Sequence, residues 1–239
     1  MQPTNNMKSL GLIGGTSWHS TIEYYRIINQ SINDHFGNNT NPPLMLYTMN
    51  QAQIHKYQVE DNWAGVAEMV IDAGSRLIAG GADALMCCAN TPHKVYRQAT
   101  EQLNVPMLHI ADATAAAIQQ RDRSSVGFIG TRFSMTEEFV TGRIAEHGIR
   151  VLVPEAAEEL KELHRIIQKE LTFGKIVPSS KQFVMNSIQS MVDRGAEGII
   201  LGCTEFPLMI NSEDLEIPVF DTTTIHAKAA AKFVLGLDS

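Results

Sequence analysis

Cys203 is the residue of this 239-residue chain best placed to do chemistry. It closes an apolar run, Gly198-Ile199-Ile200-Leu201-Gly202, and leads into Thr204, Glu205, Phe206 and Pro207. A thiol between the end of a buried strand and the start of a helix predicts a depressed pKa and a role as base or nucleophile. Cys87 and Cys88 end a second apolar run, followed by Ala89-Asn90-Thr91-Pro92-His93-Lys94. The competing reading for every one of these thiols is structural, because free cysteine packs as a small apolar residue. Asn90, Thr91 and Thr204 add amide and hydroxyl donors of the kind that hold a carboxylate. No Cys-x-x-Cys or His-Glu-x-x-His spacing occurs, which predicts neither a structural nor a catalytic metal.

Composition narrows the classes further. With 44% hydrophobic and 19% charged residues the chain can bury a sizeable core. A net charge of −7 without a Lys/Arg run argues against nucleic acid as a partner. No apolar run approaches the length of a membrane span, and residues 1–8 are polar, without the apolar core of a signal peptide. Three cysteines, two of them adjacent, do not make a secreted disulfide framework. A cytoplasmic location is therefore the expectation.

The elements that must position these residues alternate in type. Apolar strand-like runs at 10–14, 44–49, 84–88, 105–110, 126–129, 151–153, 198–202 and 219–220 are separated by helical patterns. The helices are expected near 21–32, 64–79, 93–103, 135–147, 158–171, 180–194 and 225–235. Such alternation predicts parallel sheets covered by helices on both faces. An internal repeat refines this. Leu10-Gly11-Leu12-Ile13-Gly14 matches Val126-Gly127-Phe128-Ile129-Gly130. Gly81-Ala82-Asp83-Ala84 through Ala89 matches Gly195-Ala196-Glu197-Gly198 through Cys203, and Val105-Pro106-Met107-Leu108-His109 matches Ile217-Pro218-Val219-Phe220-Asp221. The offsets of 116, 114 and 112 residues keep one order. The expected fold is α/β: two similar lobes, each a parallel sheet flanked by helices, a duplicated Rossmann-like unit with the active site in the cleft between them. The first lobe is assigned residues 1–111 and 215–239, the second 112–214. Ligands of such sheets bind beyond the carboxyl ends of the strands.

The motifs then become specific. Gly202-Cys203-Thr204-Glu205 resembles the second signature of the aspartate/glutamate racemase family, and Cys88-Ala89-Asn90-Thr91-Pro92-His93-Lys94-Val95 resembles the first. Gly11-Leu12-Ile13-Gly14-Gly15-Thr16-Ser17-Trp18 is similar to its N-terminal glycine turn, and Pro218-Val219-Phe220-Asp221-Thr222 with Ile225-His226-Ala227 to its C-terminal segment. The Cys-Thr-Glu ending looks more like the aspartate and broad-specificity amino-acid branch. The resemblance implies an isomerase that needs no cofactor. Two cysteines flank the substrate α-carbon, one removing the α-proton and the other reprotonating the opposite face. It also implies a small amino-acid or dicarboxylate substrate and a homodimer.

One position departs from that pattern. Both the repeat and the motif align Ala89, not Cys88, with the first catalytic cysteine. Alternation along an extended segment turns Cys88 to the other face, although a twist at the strand end leaves it a shifted catalytic role. Cys87 faces as Ala89 does but lies deeper, as core. The resemblance implies that Cys203 deprotonates the L enantiomer, and that reprotonation from the other face falls to water, a hydroxyl or Cys88. It assigns Asn90, Thr91, Thr131 and Thr204 to the substrate carboxylates, with Thr16, Gln51 and Lys161 in segments that reach the substrate. Thr91 doubles as a candidate helix cap, and a solvated helix position competes for Lys161. Glu205 is read as orienting the loop after the thiol. His93 and Lys94 are read as structural or rim residues, and His109, His164 and His226 as near the cleft. An arylmalonate-decarboxylase-like enzyme or other isomerase using the same single thiol, and a degenerate binder of an amino acid or dicarboxylate, are the alternatives.

Overall fold

The computed structural model describes residues 7–237; most of the polar stretch 1–8 considered above lies outside them. Two compact units result. The first runs to His109 and resumes at His226, and the second spans Ile110–Ile225.

In the first unit, β1 (Leu10–Gly14) leads into α1 (Trp18–Phe36), then β2 (Leu44–Thr48), α2 (Gln51–Val59), α3 (Trp63–Ala79) and β3 (Ala84–Cys87). A 3-10 turn, Thr91–Val95, precedes α4 (Tyr96–Thr100), and β4 (Met107–Leu108) completes an all-parallel sheet of order β2-β1-β3-β4. Residues alternate between its two faces. Leu10, Leu12, Ala84, Met86 and Cys88 pack with Tyr24, Ile28 and Ile32 of α1. Ile13, Leu85 and Cys87 pack with Val66, Val70, Ala73 and Leu77 of α3. Burial on both faces is why β1 and β3 read as continuous apolar runs.

The second unit repeats this order. It begins with α5 (Ile110–Gln119), β5 (Ser125–Gly130), α6 (Arg132–Thr136), α7 (Thr141–Glu146) and β6 (Arg150–Leu152). There follow α8 (Ala157–Lys169), α9 (Pro178–Asp193), β7 (Ile199–Gly202) and β8 (Val219–Asp221), and the parallel sheet is β6-β5-β7-β8. Finally α10 (Thr222–Leu235) carries the chain back, and its Ala227, Ala230, Ala231 and Val234 join the α1 face of the first unit.

Several expectations are corrected. The segment 215–225, assigned above to the first lobe, belongs to the second unit because Val219–Asp221 pairs with β7; only the helix after it returns. The strand expected over 105–110 is Met107–Leu108 alone, and α5 starts at Ile110. The single helix expected near 135–147 is split where Glu137 turns extended (φ −119°, ψ 146°). The helix expected at 93–103 opens as a 3-10 turn around Pro92. The helix α2 lacks an apolar stripe to announce it, with Ile54 its sole buried residue; it is instead started by Asn50, whose side chain accepts from the N–H groups of Ala52 and Gln53.

The turn from β1 into α1 is tied down closely. Gly15 has φ +93°, and a Cβ there would sit 2.1 Å from the Met49 carbonyl oxygen, so no side chain fits. Its N–H donates to Thr21 Oγ1 (3.0 Å), whose hydroxyl donates to the Ser17 carbonyl (2.9 Å). Ser17 caps α1 by accepting from the Ser20 N–H, and Ser20 Oγ in turn donates to the Cys88 carbonyl (2.5 Å).

Candidate active site

Strand register fixes which residues of the two units correspond. In the first sheet Leu12 lies beside Met86 and Ile13 beside Cys87. In the second, Phe128 lies beside Ile200 and Ile129 beside Leu201. With Ile13 matched to Ile129, Cys87 corresponds to Leu201, Cys88 to Gly202 and Ala89 to Cys203. The outer strands agree: Met86 pairs with Leu108 and Ile200 with Phe220, which matches His109 with Asp221.

Cys203 is 8% exposed at the carboxyl end of β7. Its Sγ donates to Glu205 Oε2 at 2.9 Å, and the Thr204 hydroxyl donates to the same oxygen at 2.8 Å. Glu205 is itself buried. The expectation of a depressed thiol pKa is overturned. Burial pushes the Cys203 thiol well up, the Glu205 charge beside it pushes the same way, and the backbone N–H groups of Glu205 and Thr204 only partly oppose them. Glu205 therefore does more than orient the following loop: its Oε2 accepts the hydrogen bond of the thiol and its charge helps to hold the proton on sulfur. The Thr222 hydroxyl adds support from α10 by donating to the Leu201 carbonyl (2.9 Å).

In the first unit Cys88 is 2% exposed and packs in the α1 layer with Leu12 and Met86. Burial, then the neighbouring Cys87, raises its thiol pKa well above the ordinary value; burial alone raises Cys87 to about 12. The alternation that turns Cys88 away from the face of Ala89 is thus present in the fold. Asn90 and Thr91 are both buried just past the strand. The helical position expected of Thr91 is corrected: Asn90 stands at the cap of the 3-10 turn, and no side-chain cap bond is made there. Thr16 follows Gly15 in the β1–α1 turn, and its Oγ1 is shielded from solvent with no hydrogen-bond partner among the described residues. Gln51 is the half-buried first residue of α2.

The remaining sites lie in the second unit. Thr131 caps α6, accepting from the Ser134 N–H at 3.3 Å. Lys161 is exposed on α8, three residues before His164. His164 Nδ1 accepts from the Arg132 N–H (3.3 Å), and burial followed by the Arg132 charge lowers its pKa. Its imidazole is thus an acceptor that orients the loop beside Thr131.

A buried aromatic and imidazole cluster in the first unit escaped the reading of the sequence as a group. His93, expected as a structural or rim residue, is 2% exposed, which fits the structural reading, and its Nδ1 lies 3.0 Å from the Ala89 carbonyl and 3.1 Å from that of Asn90. Donation to both carbonyls puts the proton on Nδ1. Its ring lies 4.5 Å from that of His109 and 5.7 Å from that of His226. His226 is held between the Tyr24 hydroxyl (3.0 Å from Nδ1) and the Leu108 carbonyl (3.3 Å from Nε2). The Tyr96 hydroxyl donates to the Met107 carbonyl (2.9 Å). These side chains hold the carbonyls of Ala89 and Asn90 just past β3 and those of Met107 and Leu108 in β4. Their presence inside two family-like motifs was the signal available, but motif membership does not say which way a ring points.

Among the described residues no group of three or more His, Cys, Asp or Glu is arranged to hold a metal ion, and no helix is long and apolar enough to cross a membrane.

Residues 13–230 match the family of Asp/Glu/Hydantoin racemases. The chain belongs to that family. A Yersinia pestis structure described as a candidate Asp/Glu racemase shares 40% identity and a TM-score of 0.90, covering 96% of this chain and 100% of that one. An aspartate racemase homologue from Pyrococcus horikoshii OT3 shares 36% identity and a TM-score of 0.83, again covering 96% and 100%. The broad specificity amino-acid racemase RacX of Bacillus subtilis (strain 168) is 23% identical over 171 residues, 71% of this chain and 73% of that protein. Membership makes the chain an isomerase of the amino-acid racemase type.

Proposed function

We propose that this racemase acts on acidic or related amino acids, aspartate and glutamate first, and that it does so with one thiol, Cys203. The observation that carries this reading is the pairing of Cys203 with Glu205 just past β7, against Ala89 at the matching position just past β3. The thiol loses its proton to solvent, the thiolate removes the α-proton of the L enantiomer, and the electron pair delocalises into the substrate carboxylate. Asn90, Thr91, Thr131 and Thr204 donate to the substrate carboxylates, where negative charge grows in the transition state. Thr16, Gln51 and Lys161 are assigned to the rest of the substrate, with Lys161 for a distal carboxylate. No cofactor enters this scheme. The three free, buried cysteines suit a cytoplasmic enzyme, and the homodimer of the family is adopted with the reading.

One-sidedness has a defined kinetic form. Enantiomers have equal free energies, so kcat/KM for racemisation must be equal in the two directions. Asymmetry instead appears in exchange: Cys203 removes and returns a proton on its own face faster than any group completes inversion. The test is NMR of α-proton exchange in deuterated water on L- and D-aspartate and L- and D-glutamate. Rapid exchange of the L forms, lost by at least about 100-fold in Cys203→Ser, supports the reading. Equal exchange of both enantiomers, or exchange that survives the substitution, refutes it.

The raised thiol pKa supports a second reading. A thiol held protonated is a better acid than base, and would protonate an enediolate left by loss of carbon dioxide from a malonate-type substrate. Cys203-dependent release of carbon dioxide from such a compound, without exchange of amino acids, would favour this decarboxylase. Binding of a dicarboxylate with no turnover would mark a degenerate binder.

A further inference from the structure

The loop after β5 brings a second set of polar groups to the end of the sheet that carries Cys203. Gly130 and Gly202 are the last register pair of β5 and β7. Thr131 and Cys203 are therefore the first residues past two neighbouring strand ends, and neighbouring strands lie about 4.8 Å apart. Arg132 comes next. Its N–H donates to His164 Nδ1 at 3.3 Å. An N–H group can only donate, so Nδ1 is the acceptor and the neutral ring carries its proton on Nε2. Among the described residues nothing accepts that Nε2 proton.

The side chain of Arg132 is exposed, and its guanidinium lies over the Phe133 ring, 4.8 Å from the centroid. The same ring stands edge-on to His164, with 6.2 Å between centroids. The ion pairs of the second unit join Arg143 to Asp112, Arg165 to Glu162 and Glu170, Lys181 to Asp214 and Arg194 to Glu155; among the described residues Arg132 and Lys161 have no such partner. Lys161 is one turn before His164 on the same face of α8, and the other neighbours of His164 on that helix, Leu160, Ile167 and Gln168, are not acidic. His164 is thus flanked by two uncompensated cations and offers a third donor of its own. Burial first, and the Arg132 charge second, keep its pKa below the ordinary value. Such a set of donors without an acceptor suits an anion.

We propose that Arg132, with the His164 Nε2–H and Lys161 beside it, receives the distal carboxylate of the substrate, and so selects acidic over neutral amino acids. The proposal rests on the racemase reading and names the residue that sets its substrate class. Every group in it belongs to the second unit, as Cys203 does. A guanidinium donates to both oxygens of a carboxylate at once, whereas Lys161 alone is a point charge on a flexible stem. His164 fixes the backbone of Arg132 and Phe133 carries its side chain, which lowers the freedom lost on binding. A neutral side chain in the same place would leave both cations unpaired, which is the source of discrimination.

The test uses the full chain as wild type, Arg132→Gln and Arg132→Lys. Arg132 is exposed, so its replacement leaves the fold intact. The probe is succinate, which has two carboxylates and no amino group and cannot be racemised. NMR follows the His164 ring, assigned with His164→Gln, through a pH series with and without succinate. In the wild type succinate should move the His164 titration to higher pH, because a bound anion favours the charged ring. Arg132→Gln should bind succinate at least about tenfold more weakly and lose that response at the same concentration, while Arg132→Lys keeps part of both. In α-proton exchange of L-glutamate, Arg132→Gln should raise KM at least about tenfold with kcat little changed. A His164 titration that ignores succinate in the wild type, an affinity that ignores Arg132→Gln, or a fall in kcat at unchanged KM overturns the proposal. If the wild type exchanges no amino acid, the racemase reading fails, and succinate with His164 alone decides whether a carboxylate binds here.

Discussion

Ala89 occupies in the first sheet the register position that Cys203 occupies in the second. Under the proposed one-thiol reading, the two ends of an inversion reaction are unequally equipped, one with a thiol hydrogen-bonded to a carboxylate and the other with a methyl group. Restoring the thiol should restore symmetry. Ala89→Cys is expected to raise racemisation of aspartate or glutamate by about 100-fold, the lower range of general acid–base catalysis. It should also make D-substrate exchange as fast as L-substrate exchange. Circular dichroism of either enantiomer follows the first effect and NMR the second. Racemisation unchanged by the new thiol would show that position 89 does not face the reacting carbon.

Burial, and after it the Glu205 carboxylate, sets the charge state of Cys203. Burial and the carboxylate both hold the thiol protonated, so thiolate forms only as pH rises well above the ordinary thiol range, and α-exchange should climb with pH across that range. Glu205→Gln removes the negative charge but keeps the size, and the thiol should then ionise at lower pH. Ultraviolet absorbance of the thiolate, taken as the difference between Glu205→Gln and Glu205→Gln/Cys203→Ser, isolates Cys203 from the two buried thiols. A transition at unchanged or higher pH would mean that Glu205 is not ionised beside the sulfur.

Much of this was legible because the same pattern is written twice. The repeat that matches 10–14 with 126–130 and 84–89 with 198–203 could be read as letters, and the fold realises it as two sheets of one strand order. Alternation along the strand also sorts Cys87 from Cys88, and the two pack on opposite faces of the sheet. Local patterns failed where long-range pairing decides. Val219–Asp221 is a short apolar run whose sheet is chosen by β7, and nothing within it says so. The raised pKa of Cys203 is not legible in the sequence, because strand-to-helix position is visible there, whereas the burial of the thiol and a carboxylate folded back onto it from two residues away are not. The imidazole cluster was hidden for the same reason: His93, His109 and His226 meet only once α10 has returned.

Gly202 and Cys88 hold equivalent positions but cannot exchange side chains. A Cβ on Gly202 would lie 2.1 Å from Phe128 Cζ, inside a fully buried ring. The first unit has Leu12 in place of Phe128, which leaves room for the Cys88 thiol in the same layer. Cys88 is thereby explained by packing. Gly202→Ala should destabilise the protein by about 2 kcal/mol, as overpacking of a close-packed core does, with Phe128→Leu in the same chain restoring most of the loss. Urea unfolding measures both. A neutral Gly202→Ala would contradict the complementarity of these two positions.

His226 makes the first unit sensitive to acid. Its ring is fully buried, and its pKa is held well below the ordinary histidine value by burial first and the nearby His93 second. The groups facing it are His93 from the 3-10 turn and Tyr24 from α1, with the Leu108 carbonyl from β4. An unfolded chain protonates this histidine near pH 6.5, whereas the folded chain resists until much lower pH. The unfolded state therefore binds more protons between the two values, so this contribution to stability is complete above about pH 6.5 and is lost as pH falls below it. His226→Gln can keep the donor to Leu108 and the acceptor for Tyr24 without titrating. The variant should lose about 1 kcal/mol at neutral pH from imperfect hydrogen bonds, yet its melting temperature should fall less steeply between pH 7 and pH 5, an interval that spans about 6.5. Thermal melts in a pH series decide the matter. Parallel curves for the two proteins would mean that the acid sensitivity resides elsewhere.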